Sequence, residues 1–127
     1  MMTRATLMVT LAVFGTASLA RAQEFTVDPA LAKEGMKVFK GKACNGCHSI
    51  GKGKLAGPDL AGVTTRRTND WLKAWLKDPK GLVATDETAQ AMVKEFNNTM
   101  MPDFKLKDPE IEAVIHYMAS ESAKVKK

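Results

Sequence analysis

The segment Cys44-Asn45-Gly46-Cys47-His48 holds both cysteines of a 127-residue chain, three positions apart, with a histidine directly after the second. No other feature restricts the fold as much, because the chain must present this cluster to whatever chemistry uses it. Three chemistries could do so: a redox dithiol, part of a zinc site, or covalent attachment of a haem. A thioredoxin-like C-x-x-C accompanies a βαβ pattern, and nothing here alternates long enough to suggest a sheet. Tetrahedral zinc needs four ligands. Cys44, Cys47 and His48 supply three, and His116 is the only other histidine. A plain disulfide would close so short a loop that the chain-entropy argument gives it little stabilising effect. A haem's two vinyl groups, by contrast, bond two cysteines as thioethers. The i, i+3 spacing puts both sulfurs on one side of a tight turn, and the next residue, a histidine, then lies beneath the iron. C-x-x-C-H therefore reads as c-type haem attachment.

Attachment of this kind follows export, and the N-terminus fits export. Arg4 precedes an apolar run from Ala5 to Leu19, and Ala20-Arg21-Ala22 then forms an A-x-A cleavage site before Gln23. The run is shorter than the ~20 residues a membrane-spanning helix needs. Residues 1–22 are expected to be a signal peptide and residues 23–127 the mature domain, 127 − 22 = 105 residues long, in a periplasm-like compartment. Without Arg4 and Arg21, 19 − 2 = 17 basic residues face 14 acidic ones, a net charge of +3. That is too mild to argue for nucleic acid. The charge is uneven, however: Lys33, Lys37, Lys40, Lys42, Lys52 and Lys54 surround the cysteines, opposed only by Glu34.

The mature chain reads as helices joined by loops, an all-α class. Asp28-Pro29 is an N-cap followed by proline at the first helical position, and Leu31, Gly35, Val38 and Phe39 share one helical face. Gly51 to Thr65 reads as loop, broken by five glycines and prolines. Thr68 caps a second helix with Trp71, Leu72, Trp75 and Leu76 on its apolar face, which Asp78-Pro79 ends. A third helix covers roughly Asp86 to Phe96, with Ala89, Met92, Val93 and Phe96 on one side. Asn97 to Lys107 is a loop. Asp108-Pro109-Glu110 repeats the cap-and-proline device before a last helix whose buried stripe is Ile111, Val114, Ile115 and Met118. His116 falls off that stripe and is expected to be solvated.

His48 fills one axial position of a haem iron, and a second ligand must come from elsewhere in the chain. Met101, in Asn97-Asn-Thr-Met-Met-Pro-Asp-Phe104, is the candidate. It lies outside any periodic segment and is followed by Pro102, whose fixed φ suits an extended loop. A thioether is a soft neutral ligand, and Met/His ligation raises the reduction potential. Met100 is its immediate rival. Met36, Met92 and Met118 lie on helical faces and read as core filling.

Cys44-Asn-Gly-Cys-His48, then Gly57-Pro-Asp-Leu60, then Met101-Pro-Asp-Phe104 before a C-terminal amphipathic helix together resemble the class I c-type cytochromes, in that family's order. The resemblance covers essentially the whole mature chain. It implies a compact single domain of about four short helices wrapped round one covalently attached haem c, with the N- and C-terminal helices crossing. It implies thioethers from Cys44 and Cys47, proximal ligation by His48 and distal ligation by Met101. It also implies that the Pro58 carbonyl accepts a hydrogen bond from the proximal histidine. Arg66 falls where the family often places an arginine near a haem propionate, though Arg67 could serve. Gly35 and Phe39, with Tyr117, match the contact where the terminal helices cross. The stretch from Trp71 to Phe96 is longer and more helical than in the smallest members, and one of its tryptophans could donate to a propionate.

Two protein ligands leave no open position on the iron, so the expected role is moving one electron between redox proteins rather than catalysis. The lysines around the attachment segment would suit partners with acidic docking surfaces. No nucleic acid and no membrane span after signal cleavage are expected. A haem subunit of a larger dehydrogenase or reductase, and a small-molecule-binding sensor or peroxidase, are the alternatives.

Overall fold

The computed structural model describes residues 24–126. The signal peptide expected over residues 1–22, and the two outermost positions of the mature domain, lie outside the described residues. Among the described residues there are six α-helices and one 3-10 turn, and no strand. The helices are α1 Pro29–Gly41, α2 Val63–Arg66, α3 Asn69–Lys77, α4 Pro79–Val83, α5 Glu87–Glu95 and α6 Asp108–Lys124, and the 3-10 turn is Cys44–Gly46. None of the helices is long and apolar enough to cross a membrane.

Local chemistry sets most of the helix starts. The Asp28 carboxylate accepts hydrogen bonds from the Ala30 and Leu31 backbone N–H groups at 2.8 and 3.2 Å, satisfying donors that the first turn cannot pair internally. Thr68 does the same for the Trp71 N–H, and Asp86 for the Ala89 N–H at 2.7 Å. At the start of α6 the outcome differs from expectation. The chain enters extended at Lys107, so Lys107 is the cap, and Glu110 reaches back to accept its backbone N–H at 2.8 Å. Asp108 instead begins the helix and pairs with Lys77 at 2.5 Å.

Two helices were not expected. Asp78 ends α3, but its carboxylate also accepts the Gly81 N–H at 2.9 Å, so Asp78-Pro79 starts α4 as well as stopping its predecessor. The single turn α2 emerges from the glycine-rich stretch because Gly62, at φ 70°, turns the chain and Val63 finds burial in the core.

The core forms where α1 crosses α6, with α2 and α3 packed on the same long helix. Ile111, Val114, Ile115 and Met118 are all buried there, together with Phe39, Leu72, Leu76 and Leu106. Gly35 makes the crossing possible: a Cβ at this position would lie 1.9 Å from the Ala113 carbonyl oxygen and 2.8 Å from the Tyr117 Cβ. Phe39 and Tyr117 meet alongside, with ring centroids 5.2 Å apart.

His116 is a correction. It is only 8 % exposed, not solvated. Residues ahead of α1 cover that side of α6: the Phe25 ring packs on the imidazole at 4.8 Å, and the Asp28 N–H donates to His116 Nδ1 at 2.9 Å. Helical periodicity identifies the face of α6 that meets α1 but not the extended segment lying against another side.

Candidate functional site

A cavity of about 840 Å³ lies between the attachment segment, α3, α5 and the methionine loop. Cys44, Cys47, His48, Pro58, Arg66 and Met101 all line it. Folded interiors contain few voids larger than a water molecule. A cavity this large, walled by Phe39, Leu72, Leu76, Val114 and Met118 of the core, is a centre shaped for an apolar guest.

The attachment segment is built from backbone contacts. α1 ends at Gly41, and Ala43 takes a left-handed conformation at φ 56°, which swings the chain into the 3-10 turn. His48 N–H then donates to the Cys44 carbonyl at 3.0 Å. Both thiols are free rather than joined in a disulfide, with Cys44 half-buried and Cys47 exposed. Burial pushes the Cys44 thiol above its ordinary pKa.

His48 Nδ1 lies 2.9 Å from the Pro58 carbonyl oxygen. A carbonyl can only accept, so Nδ1 carries a proton, and in the neutral ring Nε2 is the nitrogen left to ligate. Gly57 brings the proline to this position. Its N–H donates to the Cys47 carbonyl at 2.8 Å, and the His48 ring occupies the space where its Cβ would be. The same arrangement orients metal-ligating histidines generally.

On the methionine loop, Met101 is half-buried, while Met100 is 38 % exposed. Trp75 Nε1 lies 3.1 Å from the Met101 sulfur. Trp71 Nε1 donates to the Asp86 carboxylate at 3.1 Å, and the two indoles stack at 5.6 Å, tilted by only 5°. Both indole N–H groups are therefore engaged by protein atoms. The Trp75–Met101 contact is the site relationship that the sequence did not reveal. The spacing of the tryptophans placed Trp75 on the core face of α3, but its partner is 26 positions away.

Arg66 lines the cavity, and its guanidinium donates to the Ala61 carbonyl and, at 3.1 Å, to the Asp59 carbonyl. Arg67 lies over the Trp71 ring at 5.2 Å. Asp59 organises the loop behind the proline. Its carboxylate accepts the N–H groups of Gly51, Gly53 and Ala61 at 2.7, 2.8 and 2.9 Å. The bonds from Ala61 and then Gly51 hold its pKa below the ordinary carboxylate value.

The lysines around the attachment segment are less uniform than their sequence positions suggest. Lys37 pairs with Glu34 at 2.8 Å, and Lys54 reaches Glu95 of α5. Lys42 donates to the Phe104 carbonyl at 3.4 Å. Among the described residues, Lys33, Lys40 and Lys52 have no carboxylate partner.

The sequence pattern of the family described as Cytochrome c matches residues 32–122. The chain belongs to the cytochrome c family. As a cytochrome c it carries one covalently attached haem c, a group that fits the apolar cavity, the free thiols and the single available imidazole nitrogen. Cytochrome c from Rhodothermus marinus superposes with a TM-score of 0.72 at 27% identity, over 78% of this chain and 83% of that one. The cytochrome c domain of a Pseudomonas putida protein does so with a TM-score of 0.62 at 35% identity, over 71% of this chain and 89% of that one. Cytochrome c oxidase subunit 2 of Alkalihalophilus pseudofirmus is 30% identical over an alignment of 100 residues that covers 71% of this chain. The chain spans about a quarter (25%) of that relative's length.

Proposed function

We propose that this cytochrome c is exported to the periplasm and carries single electrons between redox proteins. In this reading Cys44 and Cys47 form the thioethers, His48 Nε2 and the Met101 sulfur are the axial ligands, and Arg66 faces a propionate. The observation that carries it is the shared cavity: a histidine locked with Nε2 free and a half-buried thioether line the same wall-to-wall space. With both axial positions filled by protein, the iron has no site for oxygen or peroxide, and charge transfer is the chemistry left. The unpaired lysines near the attachment segment favour acidic partners, whose association would weaken with salt.

The test is spectroscopic. The ferric protein is expected to show sulfur-to-iron charge-transfer absorption, and the reduced protein to bind carbon monoxide poorly. Met101→Ala should abolish the first and permit the second, while Met100→Ala should alter neither. Rapid, tight carbon monoxide binding by the unaltered protein would instead favour a sensor or peroxidase.

The match to an oxidase subunit supports a second reading, in which this haem domain delivers electrons within a larger respiratory complex. Detergent extraction of native membranes followed by size fractionation separates the two. A free carrier stays at the domain's own size, and a complex component migrates with its assembly.

A further inference from the structure

We propose that Trp75 is a positioning residue for the axial sulfur, and that its indole N–H raises the reduction potential by hydrogen-bonding Met101. The inference rests on the ligation reading above and adds to it what controls the ligand. The geometry carries it. Trp75 Nε1 is 3.1 Å from the Met101 sulfur, in a side chain only 8 % exposed.

A thioether sulfur is a weak acceptor, and the buried Trp75 N–H is nonetheless directed at one. The indole cannot easily turn away. It stacks on Trp71, which is itself held by its N–H to Asp86 and covered on one face by Arg67. Asp86 in turn caps α5. The orientation of the sulfur is thus tied through two rings to a helix terminus.

Thioether sulfur has two lone pairs. An N–H on one of them leaves the other for the metal and withdraws electron density from the atom that donates it. The ferric ion depends more on that density than the ferrous ion does. The positive end of the N–H dipole, directed at the sulfur that would hold the iron, would also oppose the extra positive charge of the oxidised state. Both effects favour reduction.

The experiment is an equilibrium redox titration of the full-length haem-loaded protein beside its Trp75→Phe and Trp71→Phe variants. Trp75→Phe is expected to lower the ratio of reduced to oxidised protein at fixed ambient potential about three- to tenfold, or about 30–60 mV for one electron. The ferric sulfur-to-iron absorption should persist. Trp71→Phe keeps a ring against Trp75 but loses the bond to Asp86, so it should lower the ratio in the same direction and by less than Trp75→Phe does.

Loss of packing could shift the potential of Trp75→Phe by admitting water. A benzothiophene analogue of tryptophan, installed at position 75 alone, keeps the shape and deletes the donor. The proposal requires this analogue to lower the ratio as Trp75→Phe does. An unchanged ratio overturns it while leaving Met101 as ligand. Absence of the sulfur-to-iron absorption from the unaltered protein overturns the ligation reading, and this inference with it.

Discussion

The Cβ that Gly57 lacks would fall 2.4 Å from His48 Cε1 and 2.8 Å from its Nδ1. The residue before the proline is therefore part of the imidazole's seat. It gives the ring a flat backbone surface, while the next carbonyl fixes its tautomer.

Gly57→Ala should displace the ring and loosen its bond to the Pro58 carbonyl. Overpacking of this kind costs about 1–3 kcal/mol, and the ring cannot fold aside as a flexible chain end could. The expected result is a lowered yield of haem-loaded protein and, in the loaded fraction, a changed reduction potential. Pyridine haemochrome quantification and a redox titration measure the two.

Gly35→Ala addresses the helix crossing. The added methyl would meet the Ala113 backbone, which cannot yield without separating α1 from α6. A loss of at least about 3 kcal/mol is expected, at the upper end of overpacking costs. Urea unfolding of the haem-loaded protein, followed by circular dichroism, reads it directly.

Preventing haem attachment should cost the fold most. The cavity wall includes Phe39, Leu72, Val114 and Met118, so without a guest the core is lined but unfilled. Burial of a group larger than a tryptophan contributes more than about 6 kcal/mol, comparable to the net stability of a small domain. Cys44→Ser combined with Cys47→Ser is expected to give a chain with much reduced helix by circular dichroism.

Asp59 predicts an acid dependence with a definite sign. Its folded-state pKa is lowered, chiefly by the Ala61 and Gly51 N–H groups, from an ordinary value of 3.8. The stabilisation is thus fully present above 3.8 and is lost as the pH falls through the lowered value. Asp59→Asn should be less stable than the unaltered protein at neutral pH, and the difference should shrink toward zero in strong acid. A series of urea midpoints across pH measures it.

Features that depend on neighbours in sequence were legible before the structure. Asp28-Pro29, Thr68 and Asp86 cap helices because a short polar side chain reaches N–H groups two or three residues on. The four-residue stripe of α6 follows from helical periodicity alone. In sequence Asp78-Pro79 signals only a stop, because the same two residues can end one helix and begin another, and the short α4 that follows has little periodicity to reveal it. His116 misled because a helix's second partner, here the segment around Phe25 and Asp28, leaves no mark on the helix's own pattern. All six candidate site residues line one cavity, and the motif and its family resemblance are what brought them together. Trp75 escaped because its partner is an atom type that seldom accepts hydrogen bonds, on a loop far away in sequence.

The crossing of α1 and α6 also bears on the order of events. Gly35 and Ala113 stand 113 − 35 = 78 positions apart, so the chain cannot make this contact until nearly all of it has emerged. Closing so long a segment is slow and entropically unfavourable until other contacts offset it. During that interval α1 has no mate, and the thiols at 44 and 47 stay open to the group they are to receive. A topology that joins an early helix to a late one thereby makes closure of the core wait on a long-range contact.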